Sequence, residues 1–181
     1  MKLQEAIELI TSYFRDALKA YINFKSTAMP KRLLIISASF RRKEEPKKPI
    51  RALERFDGLL SRIVRRLEAE GKLEDVDVLI LTERGAVWGH EKVPYWPPKG
   101  QVWGRFTLSE EEIFSLRESV REALRGKAGQ YEEVFVNVGR QYMPALEGIE
   151  ELLSCPVKYA QGKGPGPKAS QMKAWLERKS P

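Results

Sequence analysis

Three short apolar runs, LLIIS at 33–37, VDVLILT at 76–82 and EVFVNVG at 133–139, constrain this chain more than any other feature. Each is short, and an all-apolar run such as LLIIS suits a strand buried on both faces, as in a parallel sheet. PVKYA at 156–160 reads as a fourth strand. The segments between them carry helical spacing. Leu53, Phe56, Leu60, Ile63 and Leu67 form one stripe, opened by Pro49 and closed by Gly71. Ser109 and Glu112 make a capping box ahead of Ile113, Leu116, Val120 and Leu124, and Gly126 stops that helix. Pro144 opens another helix through about Leu153, and Pro167 starts a last one packed by Met172, Trp175 and Leu176. Strands alternating with helices predict an α/β fold: a three-layer, mainly parallel four-stranded sheet with helices on both faces.

An amphipathic helix is expected ahead of this domain. Leu3, Ile7, Ile10, Phe14, Leu18 and Ile22 recur at steps of three and four, making one apolar stripe. The expected organisation is an N-terminal appended helix over 1–24, a linker over 25–32 and a single α/β domain over 33–179. The helix packs on the domain or on a second copy, so a homodimer is one expected assembly. Cys155 is the only cysteine, and no apolar run approaches the ~20 residues that span a bilayer, so a reduced, cytoplasmic, membrane-free setting is expected. A composition rich in Lys, Arg and Glu is compatible with a thermophile.

The net charge of +7 is unevenly spread: +7 over 31–72, −5 over 73–150 and +4 over 151–181. Such asymmetry suits an anionic partner, a nucleic acid or nucleotide, and equally suits plain solubility. On the 50–70 helix Arg51, Arg55, Arg62 and Arg66 share a stripe; with Arg41, Arg42, Lys43, Lys47 and Lys48 they form either a phosphate-contacting surface or a solvated face. The stretch from Glu83 to Phe106 lacks periodicity and holds Trp88, Tyr95, Trp96, Trp103 and the only histidine, His90. Its aromatics either stack on bases or anchor the loop as a small core.

In parallel sheets, ligands bind beyond the carboxyl ends of the strands. That rule gathers Ser37 and Ser39 after the first strand, Glu83 and Arg84 after the second and Arg140 after the third. After the fourth comes the loop GKGPGPKAS, with Gly162, Lys163, Gly164 and Lys168. Hydroxyls, cations and glycine turns on one rim suit an anionic or sugar-bearing ligand; the duller reading is strand ends and surface pairs satisfying themselves. Glu83 is the candidate acid or base. The glycine loop lacks the Walker pattern, since Ala169 follows Lys168. No cofactor signature, metal-ligand spacing or nucleophile elbow is present.

Several segments in order resemble known families. LLIISASFRRK is similar to the L-I-S-C-S-x-x-K loop of an uncharacterised small α/β domain family. RALERFDGLLSR is similar to its A-x-x-L-Y-x-G-x-L-F, and GKGPGPKASQMKAWL to its G-x-G-I-G-x-x-x-x-W-L. YWPPKGQVWGRFTLSEEE resembles a segment of the α/β domain in archaeosine synthase and related tRNA-guanine transglycosylase-like proteins. The family cysteine is Ala38 here, and the archaeosine synthase signature P-C-x-x-K-P-Y is absent. The resemblance implies the fold and a link to tRNA or nucleobase modification in an archaeal-like setting. The expected function is therefore a nucleotide- or nucleic-acid-linked α/β domain with its site at the carboxyl edge of the sheet. The alternative is a non-catalytic RNA- or DNA-binding module using the basic surface and the aromatic loop.

Overall fold

The computed structural model of the chain describes residue 7 and residues 10–17, 31–99 and 107–178. Five strands form the main sheet: β1 (Lys31–Ser37), β3 (Val76–Thr82), β4 (Gly85–Trp88), β6 (Tyr131–Asn137) and β7 (Val157–Tyr159), in the order β4-β3-β1-β6-β7. β1 pairs in parallel with β3 and β6, and β6 in parallel with β7; β4 alone is antiparallel, folded back on β3. The expected four-stranded sheet thus gains a fifth strand, built from the first residues of the aromatic loop. Gly85 carries φ 132°, a backbone that L side chains rarely adopt, and this allows the tight reversal after Thr82. A separate two-stranded ribbon joins β2 (Ile50–Arg51) to β5 (Lys92–Val93).

Leu33, Leu34, Ile35 and Ile36 of β1 are all fully buried, as a central parallel strand requires. Their alternation divides the core. Leu33 and Ile35 face Leu116, Val120 and Leu124 of α3 (Glu110–Leu124) and Ile149 and Leu153 of α4 (Ile149–Leu153). Leu34 and Ile36 face Leu53 of α1 (Ala52–Arg55) and Phe56 at its C-cap, Val64 and Leu67 of α2 (Leu59–Ala69), and Met172 and Trp175 of α5 (Pro165–Glu177). Each such side chain, taken from exposed to buried, contributes roughly 1.5–3 kcal/mol.

The capping box at Ser109 is present in full: the Ser109 Oγ accepts from the Glu112 N–H, and the Glu112 carboxylate accepts from the Ser109 N–H. The expected 50–70 helix is instead the short strand β2 and two helices, α1 and α2, because the chain turns at Phe56–Gly58. The segment from Pro144 is likewise mostly a 3-10 turn over Arg140–Leu146, followed by the short α4. β1 opens at Lys31, inside the expected linker. Arg32 is buried there: it pairs with Asp75, donates to the carbonyls of Trp175 and Leu176 at the end of α5, and stacks on the Trp175 ring. Residues 10–17 are helical, with Ile7, Ile10, Tyr13 and Phe14 exposed. The rest of the expected 1–24 helix, most of the linker and Trp103 lie outside the described residues.

Candidate functional site

Because β1, β3, β6 and β7 run in parallel, their carboxyl ends share one edge of the sheet. From β1 the chain crosses to β3 through α1 and α2 on one face. From β3 it returns past β1 to β6 through α3 on the other face. The connections therefore diverge between β1 and β6, the position at which open α/β sheets leave a crevice for ligands. A cavity of about 440 Å³ lies at that point. Ser37, Ser39 and Arg41 line it from β1 and its loop, Gly58, Leu59 and Ser61 from the start of α2, Asn137 from β6, and Pro165 from α5.

The start of α2 is a donor-rich end. Helix geometry leaves the N–H groups of Leu59, Leu60 and Ser61 without intrahelical partners, and Gly58, at the N-cap, supplies no side-chain cap. The serines add hydroxyls with a definite polarity. Ser37 Oγ already accepts from the Gly139 N–H at 3.1 Å, and Ser39 Oγ from the Arg41 N–H at 3.0 Å. Each hydroxyl proton is then left to donate. Ser61 is 3% exposed, lines the cavity, and makes no side-chain hydrogen bond among the described residues. The Arg41 guanidinium is exposed at the rim. Asp57, one residue before the N-cap, is held by Arg62 and Arg65; burial would raise its carboxyl, but these two partners outweigh that and lower it, so it stays ionised and paired.

Gly58 is required here by proximity rather than by its backbone angles. A Cβ at this position would stand 2.4 Å from both Cβ and Oγ of Ser39. Gly58→Ala is expected to push the 38–41 loop off α2 and lower stability by about 1–3 kcal/mol, as overpacking does. Urea unfolding tests this, and an unchanged midpoint would show that the loop yields without cost.

Glu83 lies on the same edge but is not free. Its two oxygens accept from Arg42 Nη1 and Nη2, each at 2.9 Å, and Trp96 Nε1 donates to it at 2.9 Å. Side-chain exposure is 3% for Arg42 and 8% for Glu83. Burial pushes the Glu83 carboxyl up, but the Arg42 bonds and the Trp96 N–H outweigh it, so the group lies below the usual carboxylate range. Arg42 also donates to the carbonyls of Ser39 and Trp96 and stacks over Phe56 and Trp96. The pair is a clamp that joins the loop after β1 to the loop after β3. Arg84 is exposed and stacks over Trp96 at 4.9 Å.

Of the expected arginine surface, Arg41, Arg62 and Arg66 are exposed, while Arg42 and Arg55 turn inward. Arg42 is buried on Glu83. Arg55 is fully buried and donates to the carbonyls of Lys43, Glu44, Pro46 and Lys48. Arg51 pairs with Glu68, Arg62 with Asp57 and Arg66 with Glu70. The turn at Phe56–Gly58 breaks the helix on which the four were to share a stripe. The aromatic loop is also largely committed to packing: Trp88 and Trp96 are 7% and 6% exposed, one in each core cluster, and His90 stacks on Trp88. A loop of this length needs its own anchors, which explains why these rings face inward.

The GKGPGPKAS loop turns through Gly162 and Gly164, with φ of 104° and 82°. Gln161 and Gln171 exchange hydrogen bonds that fasten the loop to α5. Pro165 and Pro167 lie in the first turn of α5 and carry no N–H, so this helix start offers far fewer donors than α2. Lys163 is exposed. Lys168 and Arg140 line a second cavity, of about 250 Å³, at the ends of β6 and β7. Gly58, Ser61 and Asn137 escape a sequence reading; the signal available was the glycine interrupting an otherwise helical stripe. Among the described residues no cluster of three or more His, Cys, Asp or Glu is placed to hold a metal ion.

No protein-family model and no curated protein matches the chain. Its fold is similar to that in the crystal structure of AF0587, a protein of unknown function, with a TM-score of 0.51 at 17% identity. The match covers 84% of this chain and 46% of that one, so the chain spans about half the length of that protein. At this identity the likeness speaks for the α/β fold alone.

Proposed function

We propose that this chain binds a phosphate-bearing ligand, a nucleotide or a nucleic-acid strand, in the crevice between β1 and β6, in a role linked to tRNA or nucleobase modification. The observation that carries the reading is the cavity at the switch point of the sheet, which Ser61 lines beside the uncapped start of α2. A phosphate there accepts from the Leu59, Leu60 and Ser61 N–H groups and from the Ser37, Ser39 and Ser61 hydroxyls, with Arg41 at the rim. Glu83 serves this site as the carboxylate that holds Arg42, and through it the Ser39 loop, rather than as a proton carrier. The alternative binding module draws less support, since Arg42, Arg51, Arg55, Arg62 and Arg66 have protein partners and Trp88 and Trp96 are buried.

Calorimetric titration with inorganic phosphate, pyrophosphate and mononucleotides tests the reading. Saturable binding is expected, and Ser61→Ala should weaken it about fivefold, the worth of roughly one hydrogen bond, with the thermal midpoint unchanged. No heat with any phosphate ligand, or equal affinity in Ser61→Ala, would falsify the proposal.

A further inference from the structure

We infer that the ligand straddles the end of β6 and places a second nucleotide unit in the cavity between β6 and β7, so that the chain takes a dinucleotide or a strand rather than a mononucleotide. This rests on the phosphate reading of the first crevice. The two cavities occupy successive gaps of one sheet edge, about 4.8 Å apart by strand spacing. They share a wall: Asn137 lines the first, and its Nδ2 donates at 3.2 Å to the backbone carbonyl of Lys168, which lines the second.

The charge pattern continues across that wall. Arg41 stands at the first cavity, and Arg140 and Lys168 at the second, while no carboxylate lines either one. Among the described residues neither Arg140 nor Lys168 forms an ion pair. The second cavity also has an apolar side, with Val136 and Val138 at its base and Met143 40% exposed. The Tyr159 hydroxyl is occupied by Glu150, so Tyr159 offers its ring rather than its hydroxyl. An apolar wall with two cations suits a base that lies flat while its phosphate meets Arg140 or Lys168.

Mononucleotide, dinucleotide and tetranucleotide titrations of the full chain, wild type and the Arg140→Gln, Lys168→Gln double variant, decide it. The dinucleotide should bind at least about tenfold more tightly than the mononucleotide, with a log-log salt slope steeper by about 0.7 per added phosphate contact. The double variant should lose that gain and leave mononucleotide affinity unchanged. Equal mono- and dinucleotide affinities overturn the inference while leaving the first site intact; so does a double variant that weakens both alike. Absence of binding by every one of these ligands overturns the phosphate reading itself, and the inference with it.

Discussion

Glu83→Ala is expected to destabilise the domain by about 3–5 kcal/mol, because it strands the Arg42 guanidinium in the interior without its counter-charge. Arg42 is 3% exposed and lies against the Phe56 and Trp96 rings, so water cannot take over the role of the carboxylate. The double variant Arg42→Met, Glu83→Leu should recover much of the loss, since an apolar pair of similar volume needs no desolvated charge. The pH dependence follows from the depressed Glu83 carboxyl. A group lowered on folding contributes stability that is full above its unfolded value, near 4.3, and lost as pH falls through the lower folded value. The gap between wild type and Glu83→Gln should therefore be constant from pH 7 to about 5 and shrink below about pH 4. Urea unfolding at a series of pH values measures it. A gap under about 1 kcal/mol, or one that ignores pH, would show that the clamp has little energetic weight.

The second large effect is expected at Arg55. Its side chain is fully buried and has no carboxylate partner; the charge is held by four backbone carbonyls of the loop from Lys43 to Lys48. Arg55→Met keeps most of the packing volume and removes every donor. Hydrogen bonds to a charged group contribute about 1.5–3 kcal/mol each, but the loop is exposed and water will satisfy part of what is lost, so a net cost of about 3 kcal/mol is expected. Arg55→Lys should recover less than half, because an ammonium cannot span four carbonyls as the planar fork does. Amide exchange should show faster exchange at Lys43, whose N–H donates to the Arg55 carbonyl at 2.9 Å. Unchanged exchange and an unchanged urea midpoint would mean that the loop is held by other contacts.

What could be read from the residues follows one rule: signals that act within a few residues were legible. β3 spans 76–82, as its apolar run predicts, and the capping box at Ser109 starts α3. Ser37 and Ser39 were placed at the crevice by the end of LLIIS alone. The 50–70 helix differs from the expectation because its apolar stripe runs on through the turn at Phe56–Gly58, and only the contact with Ser39, 19 residues away, shows why a glycine is needed there. The inward turn of Arg42 and Arg55 is hidden for a related reason. Spacing shows which residues share a face, but it cannot show that Arg42 meets a carboxylate 41 positions away or that Arg55 turns inward onto a loop.

GKGPGPKAS shows the division most clearly. Its glycines and its position after β7 are local facts, and they were enough to read a turn entering a helix at the carboxyl edge of the sheet. Which helix start offers donors to an anion was decided elsewhere, by the two prolines that empty the first turn of α5 and by Gly58 and Ser61, which the crossover from β1 brings to the crevice. Sequence alone determined the four parallel strands of the main sheet, because their apolar runs are encoded within a few residues, whereas β4 and the β2–β5 ribbon form through pairings it does not show. Tertiary structure decided which charges are paired within the protein and which stay exposed, because each pairing depends on partners that only the folded chain brings together.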